Sequence, residues 1–577
     1  MSIASRSPSK DKIQRPNLPT SRVHLLLPAN EPDVNVCKLL LSSRILGYPT
    51  GHLIRWGVHF DPGAASGSHI AKMTGVHEYV SALPPSNDDD LVITVDALDS
   101  WFQLPMQVFL DRYRAINARA NERILKQVGP ENFKRKGVKQ TIVMSTQKRC
   151  WPSDNIDAAC WAVPASPLPD DLYGEDTDHD ITPEGDNTFR DARVRPRFVN
   201  SGLTMGPVRD IRDLLTHLLE FRQQDLRDTI SDQAFWGKAF GAQEYERQVW
   251  AEERRLEQTE QKEQQDSEWK FWKFFSSEKE GACRQNTGPK LRNSSILDPH
   301  PTRRRPEIEE GKYYQFGLGL DYLSELSFPT VFSNFDVDWV RFIERDRLHR
   351  QWEEMNITNP QSDKLPQDLV DAKPPFDSLS ARSTASEEAS EEKDGDAVNT
   401  DDDEQGWADV PLFTNLWTGV IPAIIHHNAH MNGLKANRET MWPDLWLQPR
   451  ARELLAQRLS EPAGQPLAVE TISVDDHGKT VEESIRSSTG RSGRRGGKKK
   501  GQMMREWLDA AKPRPAQDWG AQTDKDDEDW VNWNDLCDEQ MQEEVFRDGK
   551  GKFDMPEEMA DAGSMPAVPY TFDSKQA

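Results

Sequence analysis

The sequence predicts an α/β fold, with a mixed, Rossmann-like sheet flanked by helices. Three short runs of apolar and β-branched residues have the composition of buried strands, and they span 23–27, 91–95 and 141–145. The first run is followed by helical spacing over 36–46, which ends at Gly47, and by a second strand over 49–56. Strand, helix and strand in that order are typical of the start of a parallel α/β sheet.

Length and composition restrict the classes of protein that need to be considered. The chain has 577 residues, of which 36% are hydrophobic and 29% are charged, and its mean hydropathy is −0.78. We therefore expect a large core over part of the chain only, with the rest solvated or disordered. The net charge of −24 argues against binding to nucleic acids or anionic membranes through general electrostatic attraction.

Changes in composition along the chain predict one large domain with insertions. We expect a disordered lead over 1–22, a domain over 23–460, insertions at about 245–310 and 335–408, and a low-complexity, mostly disordered tail over 461–577. Helical spacing over 245–275 predicts a helix outside the core. The lead has no apolar segment of the kind found in signal peptides, and no apolar run in the chain reaches transmembrane length.

Five cysteines are present, and none of them forms a CxxC pair, so the sequence does not indicate a zinc module. Cys150 and Cys160 are close enough in sequence to close a short loop through a disulfide, which an oxidising compartment would permit. Free, buried thiols are the alternative.

Two carboxylates, Asp96 and Asp99, follow the apolar run 91–95. The carboxyl ends of strands in open α/β sheets are where ligands bind, and a buried, unpaired carboxylate is costly. One interpretation is a site for Mn²⁺ or Mg²⁺, which prefer oxygen ligands and bridge to phosphates. The other is a solvated turn, in which Asp99 caps a short helix that starts near Ser100.

Further along the chain, a lysine and a histidine cluster allow similar alternatives. Lys72 is expected on a helix, either solvated or in contact with a diphosphate. His426, His427 and His430 follow a predicted strand over 420–425. His426 and His430 would chelate zinc if the segment were helical. Alternatively, one histidine joins Asp96 and Asp99 around one metal, or all three are ordinary core and surface residues.

Five short motifs occur in an order that resembles one known family: Asp96-Ala97-Leu98-Asp99, Asn200-Ser201-Gly202, Asp232-Gln233, Leu320-Asp321 with Phe328, and Ile425-His426-His427-Asn428-Ala429. A glycine-rich segment over 63–72 ends in a lysine. Together they resemble the glycosyltransferase domain of the lysyl hydroxylase/procollagen glycosyltransferase (PLOD-type) family, over roughly residues 23–450. One departure is that His427 and Ala429 stand where the family has glycines.

The resemblance implies a GT-A fold and a glycosyltransferase that moves a hexose from a UDP-sugar to a hydroxyl group of a protein or glycan. Asp96, Asp99 and His426 are then the expected ligands of Mn²⁺ or Mg²⁺. Asp232 is the expected catalytic base if transfer inverts the anomeric carbon. The expected donor-binding residues are Ala29, Asn30, Lys72, Trp151, Asn200, Ser201, Gly202, Gln233 and Asn428. The family also implies the secretory lumen (Golgi or endoplasmic reticulum).

Two other functions remain as alternatives. The same fold could serve as a degenerate transferase that acts as a scaffold or interaction protein, which the loss of both glycines favours. The retained Asp96, Asp99, Asp232 and His426 oppose this interpretation. A zinc hydrolase built on the histidine cluster is the third alternative.

Overall fold

A computed structural model of the protein describes residues 20–60, 65–179, 191–224, 231–276, 302–306, 314–357, 360, 362–376, 406–474, 501–525 and 529–555. Within these ranges the architecture is mixed α/β, with a large mixed sheet flanked by helices. This confirms the predicted class of fold at that level. No helix among the described residues combines the length and the apolar composition needed to cross a membrane.

The main sheet contains ten of the described strands: β1 (Thr20–Pro28), β2 (Gly51–Ile54), β3 (Leu91–Val95), β5 (Ile142–Gln147), β6 (Phe198–Pro207), β7 (Leu318–Leu320), β12 (Ala468–Val474), β13 (Gly501–Asp509), β14 (Gly520–Thr523) and β15 (Trp530–Asn532). Their order is β15-β14-β2-β1-β3-β6-β5-β7, and β13 pairs with both β1 and β12. β1 runs parallel to β2, β3 and β13, whereas β6 is antiparallel to both of its neighbours.

Two smaller sheets complete the strands. One joins β4 (Ser100–Phe102), β11 (Ile424–His426) and β8 (Ser327–Pro329), and the other joins β9 (Val337–Val340) and β10 (Leu412–Asn415). β4 and β11 pair antiparallel, with His426 opposite Ser100. This pairing places the histidine segment beside the turn that carries Asp96 and Asp99.

The described helices are α1 (Val34–Ile45), α2 (Ala65–Ala82), α3 (Met106–Arg135), α4 (Ala158–Trp161), α5 (Val208–Gln224), α6 (Gln233–Ser276), α7 (Arg345–Glu354), α8 (Gln367–Val370), α9 (Arg438–Met441), α10 (Ala451–Ser460), α11 (Trp533–Leu536) and α12 (Glu539–Phe546). They cover both faces of the main sheet. Alternate residues of β1 show this, because Leu25 and Leu27 pack in a cluster with α1 and α3, whereas Leu26 packs in a second cluster with α2, α5 and α6. Burial on both faces explains the continuous apolar runs in the sequence.

The predicted tail over 461–577 is wrong for the described residues, because they complete the main sheet. β13 pairs with the first half of β1, and β14 pairs with β2. Cys37 on α1 forms a disulfide with Cys537, 500 residues away. High charge concealed these strands, since they bury few residues. Only alternate residues of β14 are buried, Ala521 and Thr523, with Gln522 half-buried between them. Residues 475–500 and 556–577 lie outside the described residues.

The predicted insertions also need correction. Residues 335–376 contain β9, α7 and α8, and Leu348 and Trp352 are buried in the core. Helix α6 begins at Gln233 and packs through buried Tyr245 and Trp250, so its first half is not outside the core. The remainder of both segments, 277–301, 307–310, 358–359, 361 and 377–405, lies outside the described residues.

Two smaller predictions have clear outcomes. Cys150 and Cys160 form the disulfide that their spacing permits. The predicted lead ends earlier than expected, because β1 already begins at Thr20, and residues 1–19 lie outside the described residues.

The integration of the tail can be tested at Trp507 in β13, whose side chain is 1% exposed. We expect Trp507→Ala to destabilise the whole protein by about 3–5 kcal/mol, because it empties a large volume in the core. Thermal and urea unfolding of the full chain would measure this. Met431→Ala is the control, because Met431 is 83% exposed and its truncation should leave stability unchanged. Equal stability of the two variants would contradict the pairing of the tail with the sheet.

Candidate functional site

Asp96, Asp99 and His426 come together at the carboxyl end of β3. Asp96 follows β3 directly, Asp99 lies in the turn before β4, and His426 ends β11. Their candidate ligand atoms all lie within 4.8 Å of one another. The Nε2 atom of His426 is 3.3 Å from Asp99 Oδ1 and 3.5 Å from Asp96 Oδ2. The interpretation in which one histidine joins both aspartates is therefore confirmed as a geometric group.

The donor set of this group fits a divalent cation. His426 is 2% exposed, and neither ring nitrogen makes a hydrogen bond among the described residues, although Nε2 faces two carboxylates. Buried imidazole nitrogens usually have a hydrogen-bond partner, and one nitrogen and two carboxylate oxygens that lie this close together are suited to share a cation. Two carboxylates and one imidazole are acceptable ligands for Mn²⁺, and for Mg²⁺ to a lesser degree.

Gly202 in β6 is required for this arrangement. A Cβ atom at position 202 would lie 2.1 Å from Cε1 and 2.3 Å from Nδ1 of His426. Any side chain there would therefore displace the imidazole. The Asn-Ser-Gly segment contributes to the group by giving His426 room, which the sequence did not suggest.

Two alternatives from the sequence are wrong, and the interpretation of a histidine as an ordinary core residue holds for His427. Asp99 caps no helix, because β4 begins at Ser100. The segment after His426 is not helical, and His430 is exposed, so the two histidines do not form a helical zinc pair. His427 is fully buried against the ring of Trp101, with 4.1 Å between centroids, and burial lowers its pKa to about 3. His427 is therefore a neutral core histidine.

Lys72 on α2 is a paired, partly buried cation, with 12% of its side chain exposed, and not a solvated helix residue. Its Nζ donates hydrogen bonds to Asp96 Oδ1 and, at 2.8 Å, to the carbonyl of Ser201. Asp232 Oδ2 lies 3.5 Å away on the other side. Burial opposes the charge, but the carboxylates of Asp232 and Asp96 outweigh it and raise the pKa of Lys72. A fixed positive charge therefore stands beside the candidate metal ligands.

Asp232 lies directly before α6 and is 1% exposed. One oxygen accepts a hydrogen bond from Ser201 Oγ at 3.3 Å and lies 3.4 Å from Nδ1 of His69. Burial favours the neutral carboxyl, but Lys72 and His69 prevail and lower the pKa of Asp232. Asp232 is therefore an anion that links α2 to β6.

The other predicted donor-binding residues of this region are tied to one another. Asn200 donates to Gln147 Oε1 at 2.9 Å and accepts from the Gly202 amide at 3.0 Å. Gln233 accepts the Ser201 amide at 3.3 Å and donates to the Trp151 carbonyl at 2.6 Å. These bonds order the backbone, and of this set only Trp151, with 46% of its surface exposed, is open to solvent.

Ala29 and Asn30 follow β1, which neighbours β3 in parallel, so they lie at the same edge of the sheet as Asp96. Asn30 closes this loop by donating to the Val58 carbonyl at 3.1 Å. The side-chain oxygen of Asn428 accepts a hydrogen bond from the Val331 amide at 3.0 Å. This oxygen is therefore already engaged within the protein, at the residue predicted to contact the donor.

The structure adds His69 and Lys435, which the sequence analysis missed. Lys435 Nζ is 3.1 Å from Asp99 Oδ2, the oxygen that does not face His426. No local pattern indicates Lys435, because 336 residues separate it from Asp99. The sequence could have indicated His69, because it precedes Lys72 by three residues and therefore lies on the same side of α2.

The replaced glycines of the histidine motif have different outcomes. Ala429 has a φ of 64°, so the backbone keeps the left-handed conformation that glycine favours. An alanine there costs about 1–2 kcal/mol, which the surrounding contacts must offset. His427 instead fills the core. The backbone shape at position 429 therefore does not depend on glycine.

No family model and no curated protein matches this chain in sequence comparisons. The resemblance to PLOD-type transferases therefore stays a prediction that rests on the motifs.

We predict that Gly202→Ala abolishes the metal group, because the new methyl overlaps with His426. Titration of the full chain with Mn²⁺, followed by electron paramagnetic resonance, should give a Kd raised about 10–100-fold, the range that follows loss of ligand orientation. Gly237→Ala in α6 is the matched control, since its Cβ would meet only an ordinary contact at 3.6 Å. Unchanged Mn²⁺ affinity in Gly202→Ala would contradict the assignment of His426.

We predict that His69 titrates above its ordinary pKa of 6.5, because the hydrogen bond to Asp232 raises it more than burial lowers it. Protonated His69 therefore stabilises the fold below pH 6.5, and this contribution is lost as the pH rises through the folded pKa. NMR of ¹³C-labelled imidazole would follow the titration in wild type and in Asp232→Asn, where the pKa should fall. His77 on the same helix, whose pKa burial lowers, should not respond. A His69 pKa unaffected by Asp232→Asn would contradict the pair.

Proposed function

We propose that the protein is a metal-dependent glycosyltransferase of GT-A type that transfers a hexose from a UDP-sugar to a hydroxyl acceptor on a protein or glycan. One observation carries the proposal. A metal-ligand group and a partly buried lysine lie side by side at the carboxyl end of β3, the edge at which open α/β sheets bind their ligands. Diphosphate is the ligand that a divalent cation and a fixed ammonium group suit together.

Asp96, Asp99 and His426 would hold the Mn²⁺ or Mg²⁺ ion. When bound, the metal supplies positive charge to the diphosphate and so stabilises UDP as a leaving group. The two oxygens of Asp99 have separate neighbours, His426 at Oδ1 and Lys435 at Oδ2. Lys435 would thus keep the second oxygen in place while the first serves the cation.

Lys72 contributes to departure of the nucleotide in a different way. Its three neighbours, Asp96, Ser201 and Asp232, fix the ammonium group before substrate arrives. A pre-positioned charge costs no reorganisation during the reaction, so it stabilises the developing negative charge of the leaving group efficiently.

Asp232 and His69 form the second working part of the site. The carboxylate of Asp232 is buried, whereas the paired His69 has 49% of its side chain exposed. Only the imidazole of this pair can therefore contact an acceptor from solvent. If transfer inverts the anomeric carbon, this pair would accept the proton of the acceptor hydroxyl. The paired aspartate orients the imidazole and keeps its basicity high.

The loops after β1 and β5 would shape the rest of the donor site. Ala29 and Asn30 would contact the uridine, and the exposed Trp151 would line the sugar pocket. Asn200, Ser201, Gly202 and Gln233 would act mainly by ordering β6 under the donor, because their polar groups already bond to one another. Asn428 would support the loop after β11.

The deciding experiment is calorimetric binding of UDP to the full chain, with and without Mn²⁺. We expect Mn²⁺-dependent binding in wild type and an affinity at least ~100-fold weaker in Asp99→Ala, because a metal ligand is lost. Asp346→Ala, on the exposed start of α7, is the matched control and should bind as wild type does.

No UDP binding by folded wild-type protein, with or without Mn²⁺, would refute the transferase. That outcome would favour the scaffold function instead. Binding of Zn²⁺ in preference to Mn²⁺, with no nucleotide affinity, would favour the hydrolase.

A further inference from the structure

A cavity lies at the opposite end of the parallel strands from the candidate metal group. Its volume is about 250 Å³, and its walls include Arg22 near the start of β1, Gly51 at the start of β2, and Asp509 at the end of β13. The metal group instead follows the last residue of β3. Because β1, β2 and β3 are parallel, the two sites lie at different edges of the sheet.

The walls of this cavity are basic, although the chain as a whole has a net charge of −24. Only Glu461 and Asp509 are acidic among the lining residues, against five basic ones: Arg22, Arg44, Arg458, Lys512 and Arg514. The two acids have other partners. Asp509 accepts hydrogen bonds from the amide and hydroxyl of Thr50, at 2.9 and 2.7 Å, and from the Ala511 amide at 2.9 Å. Glu461 pairs with Arg458.

Arg44, in the last turn of α1, has no such partner at its Nε. That atom is buried, yet it makes no hydrogen bond in the part of the chain that the structure describes. Burial and the neighbouring charge of Arg458 lower the pKa of Arg44 to about 10, despite the opposing effects of Asp509 and Glu461. Two guanidinium groups beside the same cavity repel each other. An anion bound between Arg44 and Arg458 would offset this repulsion.

We propose that this cavity binds a phosphoryl group, either of a small phosphate ester or of free phosphate, through the guanidinium groups of Arg44 and Arg458. Arginine presents parallel N–H donors that match phosphate oxygens, and a dianion suits two arginines better than a monovalent carboxylate does. The volume of about 250 Å³ suits a small molecule.

The walls also provide a place for an organic group. Trp519 lines the cavity and is held in position by stacking on Trp533, with 4.3 Å between ring centroids. The ring of Trp530 lies under Arg514, 4.1 Å from centroid to guanidinium. Both tryptophans belong to the tail, so a bound ligand would connect the tail to α1 and α10.

The test uses the full chain and two probes, phenyl phosphate and inorganic phosphate, in calorimetry and thermal unfolding. We expect both to bind and to raise Tm above the value in sodium chloride of matched ionic strength. Tighter binding of phenyl phosphate would identify an ester as the ligand, and equal affinity would identify free phosphate. Each of these outcomes supports a phosphoryl site.

Four variants make the test specific. Arg44→Met and Arg458→Met should each weaken binding at least tenfold, whereas Arg347→Met, at an exposed position on α7, should not. Arg44→Lys keeps a positive charge but loses the parallel N–H donors of the guanidinium group, so it should also weaken binding. It provides a second test if Arg44→Met fails to fold. Stabilisation no greater than that by sodium chloride, or undiminished affinity in folded Arg44 and Arg458 variants, would overturn the proposal.

The result of this test does not depend on whether the proposed donor site exists. Asp99→Ala should still bind phenyl phosphate, and Arg44→Met should still bind UDP with Mn²⁺ if the transferase proposal holds. Loss of phenyl phosphate binding in Asp99→Ala would instead place the anion at the metal group and overturn the second site.

Discussion

The pairing of Lys72 with Asp96 and Asp232 is the interaction on which the site depends. It joins α2, the end of β3 and the start of α6. The carboxylate of Asp232 has 2% of its side chain exposed, and a charge buried to that extent is costly without a partner. The lysine therefore fixes the position of Asp96, and through Asp96 the metal group, independently of any ligand.

Space is the second constraint at the site, and it acts with charge. His426 reaches the two aspartates only because Gly202, on the antiparallel strand β6, leaves room for the imidazole. The same strand presents the Ser201 carbonyl to Lys72 and the Ser201 hydroxyl to Asp232. One short segment thus serves the metal ligands, the lysine and the acid. Its polar side chains are hydrogen-bonded within the protein, which indicates that it orders the site more than it contacts a substrate.

The sequence alone predicts those features that depend on residues close together in the chain. The runs 23–27 and 91–95 have buried strands because both of their faces are covered, and Asp96 and Asp99 stand out because carboxylates rarely follow such a run without a partner. It could select His426 only as one of three histidines, since the choice depends on the pairing of β11 with β4. It missed Lys435 and the Cys37–Cys537 disulfide, where the partners are hundreds of residues apart. The high charge of the tail predicts disorder, which is wrong for its described strands. Those strands bury few residues, so their mean hydropathy is low although they belong to the sheet.

The position of β1 explains why the tail matters to the whole sheet. Thr20 to Val23 pair with β13 of the tail, whereas Leu25 to Pro28 pair with β2. One strand therefore has the tail beside its start and the loop with Ala29 and Asn30 after its end. Without the tail, the start of β1 would be an exposed edge with unpaired backbone groups, and Arg44 and Arg458 would lose the tryptophans opposite them. The charged tail is thus a structural part of the α/β domain, and it lines the basic cavity at the end of the sheet opposite the metal group.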